Sequence, residues 1–411
     1  MSDPISRRAF LARSALIGCS AAASPLWTPV SFAAAPWDTR LVVIILRGGM
    51  DALDVVQPYG DPDYQGLRTK LAGGPASGAS DLDGFFALHP ALSPLMPLWR
   101  KGELGFVHAV STPYRNKRSH FDGQDLLEAG TDTLAVGGDG WLNRLLQQIP
   151  GVEARTAYAI GHDDMKLLSG AAPVANWSPD AELIMSPQAV RLTELVMQED
   201  PMFHAALNEA LLLSEPADID AAAMVMAQDD GGSAMMQMTM PRPVKGKSEI
   251  KIAQFAAEQL RGDARVASFS INGWDTHNRQ EANIKAALTR LSDTLLTLQE
   301  GLGDPIWQNT AIMAMTEFGR TARENGTGGT DHGTGGAMLL AGGAIRGGRV
   351  YGDWPGLSEA ALFDRRDLMP TGDVRDVAAW IMHSATGLDQ NRFEQVVFPG
   401  LSMSRKPGFL L

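Results

Sequence analysis

Cysteine is almost missing: Cys19 is the single one in 411 residues. A lone thiol excludes a disulfide framework, and Cys19 sits in an amino-terminal segment that reads as removable, which also excludes thiolate chemistry in the remainder. Basic runs are missing too. The formal charge is -12, and an acidic chain without a basic block is a poor partner for nucleic acid or an anionic membrane surface. No confident membrane span is present, because the mildly apolar stretch from Ala12 to Trp27 is short and rich in small residues. What is there is 45% hydrophobic and 20% charged, an ordinary globular composition with enough chain for a large core.

The amino terminus reads as an address. Ser6-Arg7-Arg8-Ala9-Phe10-Leu11 precedes the apolar stretch, and Ala33-Ala34-Ala35 ends it. This is the pattern of a twin-arginine signal peptide over 1–35 with a small-residue cleavage site. It implies the twin-arginine export machinery as a partner and a periplasmic or secreted location. Leu16-Ile17-Gly18-Cys19 also resembles a lipobox, but Arg13 leaves little apolar region before the cysteine. Removal of Cys19 with the signal is therefore expected over lipidation. Residues 36–411 are read as a single α/β domain with a mostly parallel central sheet.

Several apolar runs of strand length end in charged or glycine-rich loops, as buried parallel strands delivering a site do. Arg40-Leu41-Val42-Val43-Ile44-Ile45-Leu46 runs into Arg47-Gly48-Gly49-Met50-Asp51. The plainer reading of Asp51 is a cap on the next helix. Leu104 to Val110 is followed by a loop with Arg115, Lys117 and Arg118, then Ser119-His120. Three cations beside a hydroxyl and an imidazole suit an anionic substrate next to a nucleophile, with Ser119 as a helix cap the alternative. His108, inside the apolar run, reads as a satisfied core histidine.

Arg265 to Ile271 delivers Trp274-Asp275-Thr276-His277. Residues two apart in extended chain point the same way, so Asp275 and His277 can face one metal, and that donor pair suits Zn, Mn or Fe better than Ca. Thr310 to Thr316 delivers Glu317-Phe318-Gly319-Arg320, where Arg320 either meets the substrate or pairs with Glu317. Asp331-His332 then sits among glycines whose backbone can approach a ligand closely.

Other segments read as support. Ile284, Leu288, Leu291, Leu295 and Leu298 make the apolar stripe of a sheet-facing helix, and Val374 to Met382 that of a closing helix. Arg346 to Gly356 reads as a hairpin or wide turn. The proline-rich region at 170–247 reads as a cap or insertion, with a methionine cluster from Met224 to Met240. Thioether sulfur suits Cu(I), which makes copper handling one alternative, although methionine is also adaptable packing material.

The segments Leu46-Arg47-Gly48-Gly49-Met50-Asp51, Arg118-Ser119-His120-Phe121-Asp122, Trp274-Asp275-Thr276-His277, Thr316-Glu317-Phe318-Gly319-Arg320-Thr321 and Gly329-Thr330-Asp331-His332-Gly333 resemble those of the family called domain of unknown function 1501. That family is grouped with the alkaline phosphatase and sulfatase superfamily. The resemblance implies a three-layer alkaline phosphatase-like sandwich whose site, at strand ends, holds one or two divalent metals beside a nucleophile. It implies Asp275, His277, Glu317 and His332, with Asp51 or Asp331, as metal ligands. Ser119 or His120 would be the nucleophile or acid-base, and Arg118 and Arg320 would stabilise an anion. Gly48 falls where the superfamily's usual metal aspartate stands, and Phe318 where a second ligand would be. The function expected is a metal-dependent hydrolase or transferase acting on phosphate or sulfate esters of an anionic small molecule or polymer. The alternative is a non-catalytic exported binding or assembly protein with a degenerate site.

Overall fold

The computed structural model describes residues 37–115, 118–134, 138–161, 165–179, 248–404 and 407–411. The leader with Arg7, Arg8 and Cys19, the cation Lys117 and the cluster Met224 to Met240 lie outside these residues. Among the described residues, no helix is long and apolar enough to cross a membrane.

The apolar runs become strands. In chain order these are β1 (Arg40–Arg47), β2 (Leu104–Ser111), β3 (Ala157–Ile160), β4 (Ala175–Trp177), β5 (Val266–Asn272), β6 (Thr310–Met315), β7 (Gly336–Ala341), β8 (Val350–Tyr351) and β9 (Gly372–Asp373). They form one sheet in the order β8-β2-β7-β6-β1-β5-β3-β4, with β9 beside β2. β1 runs parallel to both β5 and β6, with Ile44 opposite Phe269 on one side and Ala314 on the other. Among the described strands of this sheet, only β7 runs antiparallel, against β6 and β2. That reversal matters: the start of β7 lies at the same sheet edge as the carboxyl ends of its neighbours.

The sheet is covered on both faces, which is why β1 is buried along its length and apolar at every step from Leu41 to Leu46. Val42, Ile44 and Leu46 pack with α3 (Ser248–Arg261) and α4 (Gln280–Trp307). Leu41, Val43 and Ile45 pack with α2 (Trp141–Gln147) and α5 (Val374–Thr386). The period of two along the strand thus sorts side chains into two cores, and the result is a three-layer α/β sandwich. The leucine stripe of α4 faces the sheet as expected, with Ile284, Leu288, Leu291, Leu295 and Leu298 all buried. Two local expectations change. Residues 175–177, assigned by composition to a cap, add edge strand β4, and the wide turn at 346–356 contributes edge strand β8.

His108 on β2 is the satisfied core histidine the sequence indicated. Nδ1 accepts from the Ala109 amide at 2.9 Å and Nε2 donates to the Val56 carbonyl at 3.1 Å. Burial pushes its pKa down to about 4 from 6.5. Between those values the unfolded chain binds a proton that the folded one does not. The neutral ring's contribution is therefore complete above pH 6.5 and is lost as pH falls toward 4, about 3 kcal/mol in all. Urea denaturation of wild type and His108→Phe across that range checks it: wild type should lose stability relative to the variant on acidification.

Candidate metal centre

Four strands bring their loops to one edge. His120 opens α1 (His120–Ala129) after β2, Asp275 and His277 follow β5, Glu317 follows β6, and His332 precedes antiparallel β7. Close backbone contacts lock these loops together. A Cβ on Gly48 would come within 2.5 Å of the Asp275 amide nitrogen, and Gly48 has a left-handed φ of +124°. A Cβ on Gly329 would meet the Thr276 carbonyl oxygen at 2.3 Å. Glycine at these positions lets the β1 and 325–332 loops lie directly on the segment carrying Asp275 and His277.

Three imidazoles converge there, and each has its Nδ1 spoken for. His120 Nδ1 donates to Glu317 Oε1 at 2.8 Å, His332 Nδ1 to the Arg118 carbonyl at 3.0 Å, and His277 Nδ1 to Asp331 Oδ1 at 3.3 Å. An acceptor opposite every Nδ1 fixes the proton on that nitrogen and leaves the Nε2 lone pairs facing inward. His277 Nε2 and His332 Nε2 are 2.8 Å apart. Asp275 Oδ1 lies 3.1 Å from the first and 3.5 Å from the second, and Asp275 Oδ2 lies 3.5 Å from His120 Nε2. His120 Nε2 is buried without a hydrogen-bond partner. Facing lone pairs and an orphaned buried nitrogen beside a carboxylate are what a cation would resolve. His120, Asp275 and His332 offer donor atoms all within 4.8 Å of one another.

The electrostatics agree. Burial first, and the positive charge of Arg320 besides, hold the His332 pKa below the ordinary imidazole value, which favours the neutral ring that can bind. Burial works to raise the pKa of Asp275, but the hydrogen bond and charge of Arg320 prevail and keep it lowered. Burial likewise opposes ionisation of Glu317, and the hydrogen bonds from His120, Gln124 and Gly48 overcome it. Asp331 is held low first by the hydrogen bond from Asn325.

The geometry redistributes the roles expected from sequence. Glu317 is fully buried, and its Oε1 also accepts from the Gly48 amide and Gln124. It orients His120 rather than facing the converging nitrogens. Asp331 does the same for His277. Asp51 is buried elsewhere, paired through both oxygens with Arg68, so it does not join the group. Arg320 has no exposed side-chain surface. It donates to Gly49, Gly48, Trp274 and Thr330 carbonyls and to Asp275 at 2.6 Å. It is a clamp on Asp275, not a substrate contact, and its carboxylate partner is Asp275 rather than Glu317. Ser119 is the helix cap, its Oγ accepting from the Asp122 amide at 3.3 Å. Arg115 turns back onto carbonyls of its own loop, whereas Arg118 is exposed.

His120, weighed from sequence as a nucleophile or acid-base, turns its Nε2 lone pair toward Asp275 Oδ2, 3.5 Å away. Phe318 has a structural task. Its ring packs 5.0 Å from those of both His120 and His332 and 6.0 Å from Tyr114, fixing the imidazole planes.

Fold and site together define an α/β protein with a histidine-carboxylate centre at the carboxyl edge of its sheet. The family model described as "Protein of unknown function (DUF1501)" matches residues 110–395, and the chain belongs to that family. No curated protein matches it in sequence. Among solved structures it is similar to the C-terminal periplasmic domain of EcEptC from Escherichia coli in complex with Zn. That likeness has 11% identity, 91% of this chain, 92% of that chain and a TM-score of 0.39. It is also similar to Ps i-CgsB, at 8% identity, 88% and 75% coverage and a TM-score of 0.42. A third is the alkaline phosphatase from the Antarctic bacterium TAB5, at 8% identity, 77% and 94% coverage and a TM-score of 0.34. Likenesses this distant carry nothing about chemistry.

Proposed function

We propose that this protein is a metal-dependent hydrolase or transferase of phosphate or sulfate esters, acting outside the cytoplasm. The observation that carries the reading is the convergence of three histidine Nε2 atoms on Asp275, with every Nδ1 already bonded. The donors are nitrogen and oxygen without sulfur, which suits Zn, Mn or Fe. His120, His277, His332 and Asp275 would hold the ion, and a bound ion supplies a Lewis acid and an activated water there.

The chain's own residues do the rest. Glu317 and Asp331 keep the protons of His120 and His277 on Nδ1, and Arg320 holds Asp275 ionised and in place. Asp275 is 47% exposed, so an ester can reach the centre from solvent. Ser119 Oγ is engaged as the cap of α1, which favours attack by water over a covalent enzyme intermediate. The exposed Arg118, whose carbonyl anchors His332, supplies positive charge for an anionic substrate.

Hydrolysis of p-nitrophenyl phosphate and p-nitrophenyl sulfate, with zinc or manganese added and with chelator, tests the reading. One ester should turn over with metal, stop with chelator, and slow about a hundredfold or more in His277→Ala. The activity should appear in the periplasmic or secreted fraction and leave it when Arg7 and Arg8 are both changed to lysine. Metal-loaded protein inert toward both esters would count against the assignment.

A further inference from the structure

Beside the centre, two cavities meet at one residue. A small pocket of about 40 Å³ is walled by Tyr114, Arg118, His332, Arg366 and Asp367, among others. Its volume suits two or three water-sized groups, since each needs about 10–15 Å³. A groove of about 730 Å³ opens on the other side, lined by Asn325, Asp331, Leu362 and again Arg366. The pocket therefore borders His332, the groove borders Asp331, whose carboxylate orients His277, and Arg366 lines both. The pocket has room for the outer oxygens of a tetrahedral anion, and the groove for an organic group.

The backbone carrying Arg366 is unusual. Phe363 and Asp367 exchange backbone hydrogen bonds of 2.9 and 3.0 Å, closing a tight hairpin. Asp364 and Arg365 at its tip have left-handed φ values of 50° and 54°. Glycine or asparagine is favoured in such turns, and a long side chain there costs about 1 kcal/mol. Residues held in this region cluster at ligand sites. The hairpin is pinned to the centre's own loops: the Ala322 amide donates to the Arg366 carbonyl at 3.0 Å, and Thr334 Oγ1 donates to Asp367 Oδ2 at 2.9 Å.

Arg366 spends Nη1 on Asp367 Oδ1 at 2.8 Å. Asp367 thus has both oxygens occupied, and Asp364, which also lines the pocket, is exposed, where solvent screens its charge. The side chain of Arg118 makes no hydrogen bond or ion pair with another described residue, and its charge reaches Asp367. Two guanidinium groups with donors to spare therefore flank one small pocket, and planar forks of this kind match phosphate and sulfate oxygens.

We propose that Arg366 and Arg118 form an anion clamp that holds the outer oxygens of the substrate's phosphate or sulfate group, while the organic remainder lies in the groove. This rests on the function proposed above and moves the anion-binding role from Arg320 to Arg366. Calorimetric titration of inorganic phosphate and inorganic sulfate into zinc-loaded protein tests it. At least one anion should bind, and Arg366→Ala should weaken it about tenfold or more. Arg366→Gln, which keeps side-chain bulk and a donor toward Asp367, guards against a folding defect and should weaken it similarly. Arg366→Lys should recover part of the affinity, and Arg100→Ala, on a distant surface helix, should change nothing. Wild-type anion affinity in zinc-bearing Arg366→Ala and Arg366→Gln would overturn the clamp and leave the metal centre standing. Failure of the wild-type protein to bind zinc would overturn the parent reading instead.

Discussion

Zinc added to the metal-free protein should raise its melting temperature, and the rise should vanish in His120→Ala and His332→Ala. A ligand at a hundred times its dissociation constant stabilises the native state by about 2.7 kcal/mol. For a chain of this size that is a shift of about 3 °C. Glu317→Gln should behave differently, because Glu317 orients His120 from behind and does not face the metal position. Loss of such a partner weakens metal binding by about ten- to a hundredfold, so the shift should return at higher zinc. A further contrast follows from the facing Nε2 atoms of His277 and His332, 2.8 Å apart. Without metal their lone pairs repel, so His332→Ala should cost the metal-free protein little. Scanning fluorimetry with and without zinc at pH 7.5 measures all of this. Equal shifts in wild type and both histidine variants would remove the centre.

The strands were legible because both faces of the sheet are covered. Apolar runs such as Leu41 to Leu46 then need no alternation, and the loops at their carboxyl ends collect at one edge. Asp275 and His277 were legible for the same reason, and their side chains meet, with His277 Nε2 3.1 Å from Asp275 Oδ1. What the sequence could not show is depth. Glu317 and Asp275 each follow a strand, but Glu317 lies beneath His120 while Asp275 projects outward. That difference depends on sheet order and on the short reach allowed by Gly48, neither of which spacing encodes. Arg366 was missed because Asp364-Arg365-Arg366-Asp367 reads as a solvated charge run. The run has no glycine between Phe363 and Leu368, so nothing in the sequence signals that its backbone turns back on itself. Gly48 and Phe318, which in the sequence favour a degenerate site, are required for loop approach and ring orientation.

Asp51 offers the sharpest test of structure against sequence, because a ligand and an anchor fail differently. Arg68 meets both carboxylate oxygens of Asp51 at 2.7 and 2.9 Å, and neither residue is more than 1% exposed. Arg68 also donates to the Thr321 and Ala322 carbonyls. Gln280 donates to Asp51 and to Asp54, and its Oε1 accepts from Thr276 and Thr330. This buried network holds the residues next to Asp275, His277 and Asp331 from below. Asp51→Ala would strand a guanidinium in the interior and should cost about 3–5 kcal/mol in urea denaturation. Replacing both partners with apolar residues, Asp51→Leu with Arg68→Met, should cost less than the single change, because no charge is then left buried. Asp51→Asn should remain folded enough to purify and still bind one zinc per chain, with weaker affinity as the loops loosen. A ligand would behave otherwise, with stoichiometric loss of zinc and little loss of metal-free stability. Zinc content and metal-free denaturation of Asp51→Asn, measured on one preparation, therefore separate an anchor beneath the centre from a member of it.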